Sequence, residues 1–233
     1  MRRKAILPAG VLVCLLFLPT ASLSAQAAEV GQIEDAKLAF EDITAIPEKT
    51  IPEFLLRDAM GIAIIPSVVK VGFIFGGEYG KGVLLLQDEH GGWSNPIFIT
   101  LSGGSIGWQI GAQSADFVLV FKTKRSVDGI LRGNFTLGVD VAAAAGPLGR
   151  RARASTDMEL KAEIYSYSRS RGFFAGLSLD GTILQIDDAA NAAFYGVDYI
   201  SPRDIQTRKD LKVPAEAEQL RQTVNDYTQS LGL

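Results

Sequence analysis

The chain has 233 residues, 47% apolar and 21% charged, and its 23 Lys and Arg against 26 Asp and Glu give a formal charge of −3. That balance excludes long disorder, which needs low hydrophobicity and high net charge, and at about 150 residues per domain the length fits one domain with additions. One Cys excludes an intramolecular disulfide framework and a cysteine-based zinc cluster, and one His excludes any site that needs two imidazoles.

Arg2, Arg3 and Lys4 precede an apolar run from Ala5 to Leu18, broken only by Pro8 and Gly10, and small and polar residues then lead to Ala25-Gln26-Ala27. A basic stretch, an apolar stretch and an A-x-A site describe a secretory signal peptide. The run is too short and interrupted for a membrane span, which takes roughly 20 apolar residues. Residues 1–27 are therefore expected to be cleaved, leaving 28–233 as an exported domain, periplasmic or secreted. Val13 before Cys14 is not the small residue that lipoprotein processing wants, so no lipid anchor is read here. Losing Arg2, Arg3 and Lys4 with no acid takes the formal charge from −3 to −6 and leaves no cysteine. An acidic chain is a poor partner for nucleic acid, whose affinity rests on phosphate contacts.

Val30, Ile33, Ala36, Phe40 and Ile43 recur at helical spacing between Glu29 and Ile46, with Glu34, Asp35, Glu41 and Asp42 on the other face. Anionic lipid would repel that acidic face, so the helix is read as a cover for the core. Thr50-Ile51-Pro52-Glu53 reads as a capping box that opens a short helix to about Met60.

From Gly61 to Ile186 the pattern becomes strands and glycine turns. Ile62–Ile65 and Val68–Phe75 flank Pro66-Ser67, and Gly82–Gln87, Pro96–Leu101 and Asp116–Phe121 follow as apolar runs, with a turn at Asp88–Gly92. Met158 to Ile164 alternates apolar and charged, and Phe173–Leu179, Asp180-Gly181 and Thr182–Ile186 read as a hairpin. Strands in succession without intervening helices favour antiparallel pairing. Helix signals then return, with Asp187-Asp188 as a start and Gly196 as a stop, a second start at Ser201-Pro202-Arg203-Asp204, and a last helix after Pro214 carrying Leu220, Val224, Tyr227 and Leu231 on one face. The whole reads as a single α+β domain, an antiparallel sheet or barrel-like core packed by N- and C-terminal helices.

Candidate chemistry is sparse. Gly103-Gly104-Ser105-Ile106-Gly107 matches G-x-S-x-G, but a nucleophile elbow needs a helix after the Ser and a His late in the chain, and His90 comes first. A hydrolase using Ser105 is thus the third-ranked reading, and no catalytic residue, metal ligand or cofactor is assigned. Neither a phosphate loop nor a dinucleotide fingerprint is present. Asn134-Phe135-Thr136 is a glycosylation sequon. Two basic clusters stand out, Lys122, Lys124 and Arg125 with Arg132 nearby, and Arg150, Arg151 and Arg153 after Gly146-Pro147-Leu148-Gly149. Arg holds phosphate bidentately, so these six residues are the candidates for an anionic headgroup, although such charge runs are usually solvated loops.

Several blocks in consistent order resemble one family, the SYLF domain. They are Gly61-Ile-Ala-Ile-Ile-Pro66, Lys70-Val-Gly-Phe-Ile-Phe-Gly-Gly77, Gly80-Lys-Gly-Val83, Trp93-Ser-Asn-Pro96, Gly103-Gly-Ser-Ile-Gly-Trp-Gln-Ile-Gly111 and Asp116-Phe-Val-Leu-Val120. The series continues with Gly146-Pro-Leu-Gly-Arg150, Ile164-Tyr-Ser-Tyr-Ser168, Arg171-Gly-Phe-Phe-Ala-Gly-Leu-Ser178 and Asn191-Ala-Ala-Phe-Tyr-Gly196, so the likeness runs over roughly residues 31 to 232. The resemblance implies a lipid-binding module and no enzyme. Eukaryotic members are associated with phosphoinositide membranes and some with actin, through basic residues and an amphipathic segment at the start of the domain. This chain differs in its acidic first helix and in the export signal, which puts cytosolic phosphoinositides and actin out of reach. The reading is an exported module that binds anionic, phosphoinositide-like lipid headgroups at the cell envelope; the alternative is a structural domain binding an envelope protein and no lipid. Arg151 and Arg153 rest on local charge alone, since the family block ends at Arg150.

Overall fold

The structure, a computed structural model, describes residues 20–45, 51–72, 75–106, 111–133, 135–147, 161–170, 173–175, 179–208 and 210–230. Helix α1 (Thr20–Thr44) buries Ile33, Ala36, Phe40 and Ile43, as their spacing requires. It starts well before the expected Glu29 and runs through the expected cleavage point at Ala27, because the Ala-rich stretch from Thr20 to Glu29 contains no helix breaker. Helix α2 (Glu53–Arg57) is shorter than the sequence suggested. Pro52 itself occupies the N-cap with no side-chain cap bond, and Thr50 of the expected capping box lies outside the described residues. The chain leaves it early because the Met60 amide donates to the Phe121 carbonyl at 2.7 Å and enters the sheet.

Nine strands form one curled sheet: β1 (Gly61–Gly72), β2 (Phe75–Leu86), β3 (Ile97–Ile106), β4 (Gly111–Phe121), β5 (Phe135–Thr136), β6 (Ala143–Ala145), β7 (Ile164–Ser170), β8 (Phe173–Ala175) and β9 (Ile183–Ile186). Their order is β5-β9-β3-β2-β1-β4-β7-β6, with β8 also on β7, and β6–β7 is the one parallel pair among the described strands. The expected α+β architecture holds, with three local corrections, the first being a helix, Lys124–Ile130, between β4 and β5, where an unbroken run of strands was expected. Asp180-Gly181 does turn, with Gly181 at φ +82°, but among the described residues the strands on either side do not pair: β8 pairs with β7 and β9 with β3 and β5, while 176–178 of the expected strand lie outside the described residues. Of the alternating stretch, 158–160 lies outside the described residues, 161–163 is not strand, and β7 begins only at Ile164.

Both faces of the sheet are covered over much of its length, which is why the strands read as apolar runs. On one face lie Ile62 and Ile64 of β1, Val83 and Leu85 of β2, and Val118 and Val120 of β4, by register. Helix α1 crosses this face, its Gln32 amide donating to the Gly82 carbonyl at 2.9 Å and its Asp42 paired with Arg169 of β7. Helix α6 (Ala215–Ser230) packs behind α1 with Phe40 edge-on to Tyr227 at 5.7 Å. Helix α4 (Asp188–Tyr195) sets Phe194 5.1 Å from Phe98 of β3. Asp187 caps α4 by accepting from the Ala190 amide, and Gly196 ends it at φ +66°; Ser201 likewise caps α5 (Pro202–Thr207). The other face buries Leu84, Leu86, Ile99, Leu101, Phe117, Leu119 and Phe121. Val127 of helix α3 (Lys124–Ile130) closes one end of it, against Gly61.

The feature that positions the site is a bulge in β1. The register to β4 slips between Ile65 and Val68, and Ser67 takes a left-handed φ of +49°, a conformation that costs a non-glycine residue energy. The Ser67 amide donates to Asp116 Oδ1 at 2.8 Å, which holds the bulge. Here β2 passes so close that a Cβ on Gly82 would lie 2.3 Å from the Ile64 carbonyl oxygen.

Candidate functional site

Beyond the bulge, no described element covers the face that α1 covers elsewhere. Val69 stands opposite Tyr79 in the β1–β2 ladder, and Val71 follows two residues on, so all three side chains share that face. They are 45%, 52% and 57% exposed for Val69, Tyr79 and Val71 respectively. Their ladder neighbours are small: Ser114 opposite Val69, Gly77 opposite Val71, Ser102 opposite Tyr79. Single exposed apolar residues need no explanation, whereas three in contact on a smooth sheet face mark a candidate interaction surface. Between this patch and the start of α1 lies a cleft of about 430 Å³, walled by Ala28 and Gly31 of the helix and by Ser67, Val69, Tyr79 and Lys81 of the sheet. The Lys81 ammonium is 3.7 Å from Asp187.

On the opposite face of the same hairpin, Lys70 pairs with Glu78 at 2.6 Å, and Thr182 donates to the other carboxylate oxygen at 2.5 Å. The carboxylate is buried and Lys70 also lies 5.3 Å from the Phe117 ring centre. Each charge is satisfied, as a buried pair must be to persist. The sequence reading missed this pair. Its signal was available in hairpin symmetry, since Lys70 and Glu78 sit equally far from the β1–β2 turn and therefore meet across it.

The basic residues singled out from sequence lie elsewhere. Lys122 follows β4 and stands 5.6 Å from the Tyr165 ring centre. Arg125 reaches Glu163 at 3.4 Å, and the same carboxylate accepts from Thr123 at 2.7 Å, whose hydroxyl caps α3. Lys124 is exposed, and its side chain makes no ion pair among the described residues. Arg132 is exposed as well. Arg150, Arg151 and Arg153 lie outside the described residues. From Ser114, beside the patch, to Lys122 the chain follows β4 for about 26 Å at ~3.3 Å per residue. The apolar patch and the described basic cluster therefore occupy opposite ends of the sheet.

Ser105 sits in β3 opposite Gly76, and the next described element is another strand, β4, where an elbow would need a helix. His90 is exposed in a turn held by Asp88, which accepts from the His90 and Gly92 amides. Among the described residues no three of His, Cys, Asp and Glu gather as metal ligands, and no helix is long and apolar enough to cross a membrane. Burial pushes the phenols of Tyr167 and Tyr195 well above the ordinary tyrosine value, and that of Tyr165 upward.

A sequence model of the Ysc84 family, described as "Las17-binding protein actin regulator", matches residues 102–227, more than half of the chain. SH3 domain-containing YSC84-like protein 1 of Rattus norvegicus is 36% identical over 193 residues, which cover 82% of this chain and 56% of that protein. The Homo sapiens protein of the same name is 35% identical over the same shares. Protein YSC84 of Saccharomyces cerevisiae is 36% identical over 176 residues, 74% of this chain and 37% of its own. The chain thus spans little more than half the length of the curated relatives it matches most broadly.

Proposed function

The chain belongs to the Ysc84 family, the SYLF domain family, and from that premise we propose that it is an exported, non-enzymatic module that docks on anionic lipid at the cell envelope. The observation that carries this reading is the bare patch of Val69, Val71 and Tyr79. Its two valines and an amphipathic phenol suit insertion at a lipid–water boundary. Lys122, Lys124, Arg125, Arg150, Arg151 and Arg153 are the proposed headgroup contacts. Among those described, Lys122 stands over the Tyr165 ring and Arg125 pairs with Glu163, whereas Lys124 is exposed with no ion pair, so Lys124 heads the order of importance. At about 26 Å from the patch, the residues at 122–125 would meet different lipid molecules from those that take the apolar side chains.

A second reading is favoured by the family's own description, which names a protein as the bound partner. In it the same patch meets an envelope protein and no lipid. Co-sedimentation of the purified protein with neutral and with anionic vesicles, at low and high salt, separates the two. The lipid reading predicts binding that depends on anionic lipid and weakens with salt, and that is lost in Val71→Asp. Absence of binding to every vesicle would overturn it in favour of the protein partner.

A further inference from the structure

We propose that the cleft between α1 and the β1–β2 hairpin receives a single acyl chain of an anionic amphiphile, with the headgroup at Lys81. The proposal rests on the lipid reading and names where one lipid molecule is held. The cleft of about 430 Å³ has room for on the order of a dozen methylene groups, since each is comparable in size to a water molecule at ~30 Å³. Its walls are methyl groups, glycine and a phenol ring: Ala28 and Gly31 on the helix, Pro66, Val69 and Tyr79 on the sheet. The polar Gln32 amide in the wall already donates to the Gly82 carbonyl at 2.9 Å and asks nothing of a ligand.

Gly31 makes the shape. Glycine inside a helix is unfavourable relative to alanine, and packing does not demand it here, because a Cβ built on Gly31 meets no atom within 4 Å. The missing side chain leaves the cleft open. Val69 and Tyr79 belong both to the cleft wall and to the exposed patch, so a chain lying in the cleft continues onto the docking face. Two charges stand at the rim. Asp35 on the helix side repels an anionic headgroup, while Lys81, nearly half exposed and 3.7 Å from Asp187, attracts it. In the exported chain a third charge joins them, the α-amino group that cleavage after Ala27 leaves on Ala28 in the cleft wall, which also attracts the headgroup.

The test uses myristoyl lysophosphatidylglycerol below its micelle concentration, with glycerophosphoglycerol as the headgroup alone, titrated calorimetrically into the purified protein. The wild type should bind the first and not the second. Gly31→Leu fills the cleft from a position with free space and gains helix propensity, so it should fold normally by circular dichroism and bind the lysolipid at least tenfold more weakly. Lys81→Gln should weaken lysophosphatidylglycerol binding several-fold and leave binding of the zwitterionic lysophosphatidylcholine unchanged. Equal lysolipid affinity of the wild type and Gly31→Leu would overturn the proposal. A wild type that sediments with vesicles yet ignores the lysolipid would overturn the cleft and leave the docking reading standing. A wild type that does neither would remove both.

Discussion

Ile64 and Val69 lie on the same strand and the same face of the sheet, yet Ile64 is fully buried and Val69 is 45% exposed. Between them is the bulge at Pro66-Ser67. Below it α1, backed by α6, and α4 cover the face; above it the described chain offers no cover to Val69, Val71 and Tyr79. The difference teaches that residue type did not decide burial here, since β-branched residues occupy both halves. The path of α1 decided it. Completing the burial of those three half-exposed side chains would release roughly 1 kcal/mol each, which the folded chain leaves for a partner to collect.

The comparison breaks most sharply under truncation. Phe40→Ala, in the covered half, should cost about 3–5 kcal/mol in urea unfolding, whereas Val71→Ser should stay within about 0.5 kcal/mol. A cost at Val71 approaching that at Phe40 would mean that the upper half is not bare. Next in size is Asn191→Ala. This buried amide accepts from the Phe98 amide and donates to the Asp187 carbonyl, each at 2.9 Å, and so ties α4 to β3. Leaving those groups unsatisfied should cost about 1–3 kcal/mol; an unchanged midpoint would show that α4 is held by packing alone.

Alkaline stability sharpens the same contrast. Tyr167 and Tyr195 in the covered region have phenols raised by burial, so the folded state keeps protons that the unfolded state gives up near the ordinary value of about 10. Stability should therefore be level below that pH and fall as pH rises above it, a trend that urea midpoints across that range would check. A flat profile would contradict the burial of these phenols. The smallest effect expected is at Lys124. Lys124→Glu should leave stability within about 0.5 kcal/mol and weaken association with anionic vesicles about fivefold at low salt, the difference vanishing at high salt. An undiminished affinity at low salt would remove this residue from the headgroup contacts.

What the sequence disclosed was local. Asp187, Gly196 and Ser201 act within four residues of their own positions, and each cap appears where its side chain predicted it. The longer strands and the terminal helices were legible for the same reason, but α3, β5 and β6 between β4 and β7 were not. Pairing between distant segments was not. Asp180-Gly181 has the chemistry of a hairpin turn, yet β8 and β9 find partners on opposite sides of the sheet, because β7 and β3 have edges to satisfy there. The candidate site was legible only in part. Val69 and Ile64 read alike as letters, and exposure depends on where a helix crosses. The basic residues at 122–125 were visible as a charge run, but their engagement by Glu163, just before β7, and by Tyr165 within it comes from some forty residues away in the chain.

The central claim, that the bare half of the sheet is the face that meets lipid, is tested most directly by a probe placed on it. In the chain from Ala28 onward, which has no cysteine, Val71→Cys would be labelled with an environment-sensitive fluorophore, and His90→Cys, in the exposed turn at the other end of β2, would serve as the reference. On adding anionic vesicles, the label at position 71 should shift to the blue while the label at 90 stays unchanged. No shift at 71, or an equal shift at both positions, would contradict the account.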